Sequence, residues 1–325
     1  MKKQVSSILK SDLARSSSII LLAIFSSNII LFLANLYLAN KLEASDFGVF
    51  KTLLYLFAFF ALIADLGINF TLTKYIAQFG SKNKEKIGYM VKKLLLYKLF
   101  FYIILSILFL LCGVWLTDIF FKDISLNYLI LPGILLMFFT FFLTFEVIAL
   151  GYQKFKLFAL SQFLNLTISS VFAILMLPYG IFFIALGYSL GPLIGNIFNI
   201  KFFFDNKVIE RSKEFDLKSI IYKFSTPMLF TNIVIGLTTL IIPSLSLFFP
   251  PSLVGYYSFA FIFYNAMTLI PNALSAVLFP KISELNGLKR HSDAKRIMKR
   301  VFMLYTLVVL AGMFFVILFS ELTSS

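Results

Sequence analysis

The chain has one cysteine, one histidine and one tryptophan in 325 residues. A single thiol closes no internal disulfide, and one Cys with one His cannot assemble a thiolate or imidazole metal cluster. Cys112 lies in an apolar run and His291 in a basic loop. Charge is also scarce, at 14% of residues, where a soluble domain carries about a quarter. Acids are the rarer sign, 15 against 29 Lys and Arg, for a net charge of +14. No HExxH motif, phosphate-cradling glycine loop or nucleophile elbow occurs. The sequence therefore indicates neither an enzyme nor a cofactor. Without a nucleotide site, any transport would run on a gradient of an ion or of the substrate itself.

What fills the chain is apolar: 60% of residues are hydrophobic and 42 are Phe. A soluble fold cannot hide so much apolar surface, whereas a bilayer is a solvent for it. A helix crosses the hydrocarbon core with about 20 apolar residues. Nine segments meet that length, at about 18–39, 48–77, 88–116, 126–150, 155–177, 179–204, 219–249, 253–279 and 297–320. The basic N-terminus precedes an apolar run too long for a cleavable signal and without a small-residue cleavage site.

Charge alternates between the connections. The N-terminal tail holds Lys2, Lys3, Lys10 and Arg15, and the second connection holds Lys82, Lys84 and Lys86. Lys154 and Lys156 follow the fourth span, and Lys207, Arg211, Lys213 and Lys218 the sixth. The eighth connection is basic from Lys281 to Arg300, while the intervening turns at Pro178 and Pro250-Pro251 carry no charge. Every second loop being basic places the N-terminus in the cytoplasm of a multi-pass protein of the plasma membrane. The positive balance is then a topology signal and a contact for membrane lipids, not a nucleic-acid footprint.

The chain carries a weak internal repeat. Asn232 stands to the late segments as Asn28 does to the early ones, at an offset of 204 residues. Gly255-Tyr256-Tyr257 answers Gly48-Val49-Phe50, Asn272 answers Asp65 and Lys281 answers Lys74, at an offset of 207. Weakly similar halves in a membrane protein point to a transporter. Spans one to six, residues 1–217, form a first lobe, and spans seven to nine, residues 218–325, part of a second. The same logic predicts three further helices beyond Phe319. The fold expected is an all-α polytopic bundle of two lobes with an inverted or pseudo-twofold repeat, its second lobe incomplete at about nine transmembrane helices.

Ionisable groups inside spans are costly and mark function first. Asp65 and Glu146 are the two acids so placed. Asp65 fits a proton or sodium site, or a structural carboxylate bonded by Thr and Asn of neighbouring helices. Glu146 fits the same chemistry, or pairing with Lys154 or Lys156 at the interface. Lys74, Lys98 and Lys223 fit a cationic track for a phosphate head, or long stems that snorkel to the inner interface. Asn28 and Asn232, at matched repeat positions, are the amides best placed to line a cavity. Pro132, Pro192, Pro227, Pro243 and Pro271 lie inside spans and kink them. Gly187, Gly191 and Gly195 share one helix face suited to close packing.

The stretches LEASDFGVF and LIADLGINFTLTKYIAQF in the first hairpin resemble the start of polysaccharide biosynthesis proteins. These are the Wzx-type flippases of lipid-linked oligosaccharides, in the superfamily of multidrug, oligosaccharidyl-lipid and polysaccharide exporters, which have a MATE-like fold. GYQKFKLFAL opening the fifth span is similar to a connection of that family, and FSTPMLF, VGYYSFAF and VLFPKIS resemble the start of its second lobe. The resemblance implies export of a polyprenyl pyrophosphate sugar chain by rocking of two lobes, with H+ or Na+ as coupling cation. It also implies 12 to 14 spans, more than are found here. Many relatives place an Asp in the seventh helix where this chain has Pro243, Ser244 and Ser246. Two other functions fit the residues: a cation-coupled drug exporter of the same fold, and a non-transporting membrane scaffold.

Overall fold

A computed structural model describes residues 2–79, 84–209 and 217–267, with isolated helical positions between 292 and 310. The account below concerns residues 18–262, which form one body. The chain runs as α1 (Lys2–Lys41), α2 (Ala44–Ala64), α3 (Ile68–Phe79) and α4 (Lys84–Phe121). A 3-10 turn at Ile124–Leu129 leads into α5 (Ile130–Phe139), α6 (Leu143–Gly151) and α7 (Phe155–Leu175). Then come α8 (Ile181–Gly195), α9 (Ile197–Asp205), the short α10 (Lys218–Ile220), α11 (Thr226–Thr239), α12 (Ile241–Phe248) and α13 (251–267). No strand occurs among the described residues.

Seven described helices or helix pairs are long and apolar enough to cross a bilayer, from Ile19–Lys41 to Lys218–Thr239. Each overlaps one of the first seven segments expected from hydropathy, the second and seventh only in part. The eighth begins in α13; its remainder, Pro271 and all of the ninth segment but six isolated helical positions, 298, 299, 302, 303, 306 and 310, lie outside the described residues. The protein is thus an all-α multi-pass membrane protein. Its lipid face is visible in side chains: Leu22 and Leu33 on α1, and Leu110, Leu111 and Trp115 on α4, are exposed. In water such a surface would aggregate; in hydrocarbon it is the solvated surface.

α2 is the central helix. In its most apolar stretch 61% is buried, against 17% in the first and third spans. Two apolar cores follow one another along the second span, the first on α2 and the second on α3. One joins Phe50, Leu53 and Phe57 of α2 to Tyr102 and Phe109 of α4, Ile134 and Met137 of α5 and Ile184 of α8. The other joins Ile68, Leu72 and Ile76 of α3 to Val91 and Leu94 of α4, Ile148 of α6 and Phe203 of α9. The glycine face of α8 packs as its spacing predicts. A Cβ on Gly187 would stand 2.7 Å from the Phe172 carbonyl oxygen, and one on Gly195 2.7 Å from the Asn165 nitrogen. Small residues bring α7 and α8 to backbone contact, the main source of cohesion where lipid removes the hydrophobic drive.

The structure corrects the second and seventh spans. Residues 48–77 are not one helix: α2 stops at Ala64 and α3 starts at Ile68. Leu66 (φ 54°) and Gly67 (φ 69°) are both left-handed, and two such residues in succession end a helix. Gly67 is required twice over. A Cβ there would meet the Ser225 carbonyl and come within 2.7 Å of Met228 Cβ. The seventh span is likewise divided, by a π-helical turn at Ile221–Ser225 and by a turn at Leu240 between α11 and α12. Pro227, in the first turn of α11, has no N–H to give to the turn before it, and that turn is the wider, π-helical one.

Candidate functional site

The break in the second span puts Asp65 between the two apolar cores. On each element around it the change from one core to the other falls at a polar residue. Ala64 belongs to the first core and Ile68 to the second, with Asp65 between; Tyr102 and Leu94 flank Lys98; Met137 and Phe145 flank Thr144. These three side chains form a polar plane inside the bundle.

Lys98, 0% exposed, has every donor engaged. Its Nζ lies 2.6 Å from Asp65 Oδ1, 2.7 Å from Thr144 Oγ1 and 3.0 Å from Asn69 Oδ1. Asp65 Oδ2 accepts from Asn232 Nδ2 at 3.1 Å and, at 3.4 Å, from the Asn69 backbone N–H. Asn232 Nδ2 also lies 3.3 Å from the Leu62 carbonyl. One turn further on, Thr71 and Ser225 meet hydroxyl to hydroxyl at 2.7 Å. Four spans, the second, third, fourth and seventh, are therefore joined at one break. A buried ion pair holds only when its remaining hydrogen-bonding positions are filled, as they are here.

The site residues expected from sequence separate into three groups. Asp65, Lys98 and Asn232 come together directly. Glu146 is buried on α6 and takes a 2.6 Å hydrogen bond from Gln162; among the described residues it pairs with neither Lys154 nor Lys156. Asn28, Lys74 and Lys223 stand apart. Asn28 bonds the Ile24 carbonyl of its own helix at 2.7 Å. Lys74 and Lys223 are exposed, and Lys74 lies 3.7 Å from the centre of the Phe224 ring.

Three residues of interest gave no decisive signal in the sequence. Thr144 and Ser225 are ordinary in-span hydroxyls. Lys51 reads as a charge flanking the first turn, yet it is only 5% exposed. It donates to Asn35 Oδ1 and sits 5.2 Å and 5.6 Å from the Phe47 and Phe50 rings. The phenylalanines one turn and one residue before it were the available clue, because aromatic faces hold a desolvated ammonium.

The described residues contain no group of three or more His, Cys, Asp or Glu able to hold a metal ion. The arrangement is that of a polar joint inside an apolar bundle. Comparison with curated proteins returns no match. A family model described as polysaccharide biosynthesis protein matches residues 13–286. That match takes in most of the chain, including Asp65, Lys98, Glu146 and Asn232, and the chain belongs to the polysaccharide biosynthesis protein family.

Proposed function

We propose that the protein carries a lipid-linked oligosaccharide, a polyprenyl pyrophosphate bearing sugars, from the cytoplasmic to the outer leaflet of the cytoplasmic membrane. The observation that supports this most is the broken second span, held at Asp65 by Lys98 and Asn232 in a member of that family. Irregular backbone at membrane depth is tolerated only inside protein or beside a water-filled cavity. Transporters use such discontinuous helices where their moving parts meet. A chain that merely stood in the bilayer would need neither the break nor the buried charges.

In this reading residues 1–217 are the first lobe, residues from Lys218 belong to the second, and the N-terminus is cytoplasmic. The exposed Lys74 and Lys223, at the inner ends of their spans, attract the pyrophosphate. Asn28 offers its amide to sugar hydroxyls once it leaves its own helix carbonyl, and the polyprenyl tail stays in the lipid. Lys98 is neutralised by Asp65 in the present state and reaches an anionic cargo only when that pair parts. A proton or sodium ion drives the cycle.

The test is reconstitution of the protein in liposomes loaded with a polyprenyl pyrophosphate oligosaccharide, with leaflet exposure read by lectin binding. Protein-dependent appearance of the sugar on the far leaflet is expected. Failure to move it, with efflux of lipophilic cations from the same liposomes, would assign the protein to drug export instead.

A further inference from the structure

Behind the Asp65 plane lies a second buried polar cluster, whose hydrogen bonding is incomplete. Glu146 on α6 is 4% exposed, and its Oε1 receives Gln162 Nε2 at 2.6 Å. Its other oxygen, Oε2, has no partner. Ser161 and Asn196 stand beside the same carboxylate. Asn196 Oδ1 accepts Asn199 Nδ2 at 3.1 Å, and Asn199, 0% exposed on α9, leaves its own Oδ1 without a partner. The two helices are in contact here: the Phe145 and Phe203 rings, each near one of these residues, meet edge to face at 5.1 Å. Two orphaned oxygens, one of them a carboxylate, thus belong to one chain of polar neighbours.

Charge points the same way. Near Glu146 the buried charges are the Asp65 carboxylate and one ammonium, Lys98, which is already bonded to Asp65; the other buried ammonium among the described residues, Lys51, is held by Asn35 and the Phe47 and Phe50 rings. The remaining charged groups on the helices packed against α6 are Lys74 of α3, Lys156 of α7, and Lys201 and Asp205 of α9, and all are exposed. Burying one unpaired negative charge in a low-dielectric interior is prohibitive, so the group either binds a cation or takes up a proton.

We propose that Glu146, with Asn199 and the amides and hydroxyl around them, is a binding site for one small monovalent cation, a proton or a sodium ion. The site is separate from the Asp65 joint. Asp65 has its positive charge fixed in place as Lys98, whereas Glu146 must collect one from solution. The ionic half of the cycle therefore belongs to the first lobe, between the fourth and sixth spans. This inference rests on the orphaned oxygens and the charge count, and it stands whichever cargo is carried.

The experiment uses the purified protein in detergent, without any cargo, so that its outcome is independent of the flippase assay. Dicyclohexylcarbodiimide, which attacks buried protonated carboxyls, is applied over a range of pH and sodium concentration, with potassium holding ionic strength constant. Modified residues are then located by mass spectrometry. Glu146 should be modified, and Asp65, locked to Lys98, should be spared. Protection by sodium at fixed pH identifies sodium as the ion; dependence on pH alone identifies the proton. In parallel, the ion should raise the unfolding midpoint by roughly 2–4 °C, and Glu146→Gln should abolish that response. An unmodified Glu146 under all conditions, or an ion response that survives in Glu146→Gln, would overturn the proposal.

Discussion

Gly48 and Gly255 stand 207 residues apart in the chain and cross each other in the structure. A Cβ on Gly48 would collide with the Pro251 carbonyl oxygen and stand 2.8 Å from the Gly255 nitrogen. A Cβ on Gly255 would collide with the Ala44 carbonyl oxygen and stand 2.7 Å from its carbon. Pro251 is to Gly255 what Ala44 is to Gly48, at the same offset. Each glycine thus meets the repeat equivalent of the residue that the other meets, as a twofold relation demands. Where α2 and α13 cross, these contacts follow the 207-residue offset of the internal repeat.

Reciprocity makes a quantitative prediction. Gly48→Val and Gly255→Val each force the same two backbones apart, at a cost of about 1–3 kcal/mol by overpacking. The two single variants should lower the unfolding midpoint by similar amounts. The double variant should cost clearly less than their sum, because one separation relieves both clashes. Full additivity, or a large effect at one glycine only, would contradict the twofold crossing.

The Asp65 plane predicts a different pattern. Asp65→Asn leaves the Lys98 ammonium buried among neutral partners and should destabilise the protein by about 3–5 kcal/mol. Adding Lys98→Met removes the orphaned charge and should restore much of that loss, while transport stays abolished. Asn232→Leu removes only one neutral hydrogen-bond donor and should cost roughly 1 kcal/mol or less. Unfolding in detergent ranks the three. Equal losses for Asp65→Asn and Asn232→Leu would mean that the ion pair does not dominate the plane.

How far the sequence foretold this site depends on which residue is considered. Asp65 and Lys98 were found because charge inside an apolar run is conspicuous. Their union was not, since they lie 33 residues apart and no periodicity links one helix to the next. The break in the second span was hidden because Leu66, Ile68 and Phe70 keep the run apolar through it; only Asp65-Leu66-Gly67 hints at a turn, and the reason for Gly67 is α11, far away in the chain. The repeat paired Asn28 with Asn232, yet only Asn232 reaches across to another helix. Matched positions specify matched backbones; the partner of an amide depends on which helices surround it. The burial of Lys51 is not legible from its place beside a turn, because α2 is buried from its first turn.

The central claim is that the second and seventh spans part at the Asp65 joint during export. Thr71 and Ser225 allow this to be tested directly, since their side-chain oxygens lie 2.7 Å apart across that joint. With Cys112→Ser as background, Thr71→Cys and Ser225→Cys place two thiols where a disulfide of about 2.05 Å can close. The measurement is export of lipid-linked oligosaccharide before oxidation, after oxidation and after reduction. The account predicts that export stops when the disulfide forms and returns when it is reduced. Export at an unchanged rate with the disulfide fully formed would contradict it.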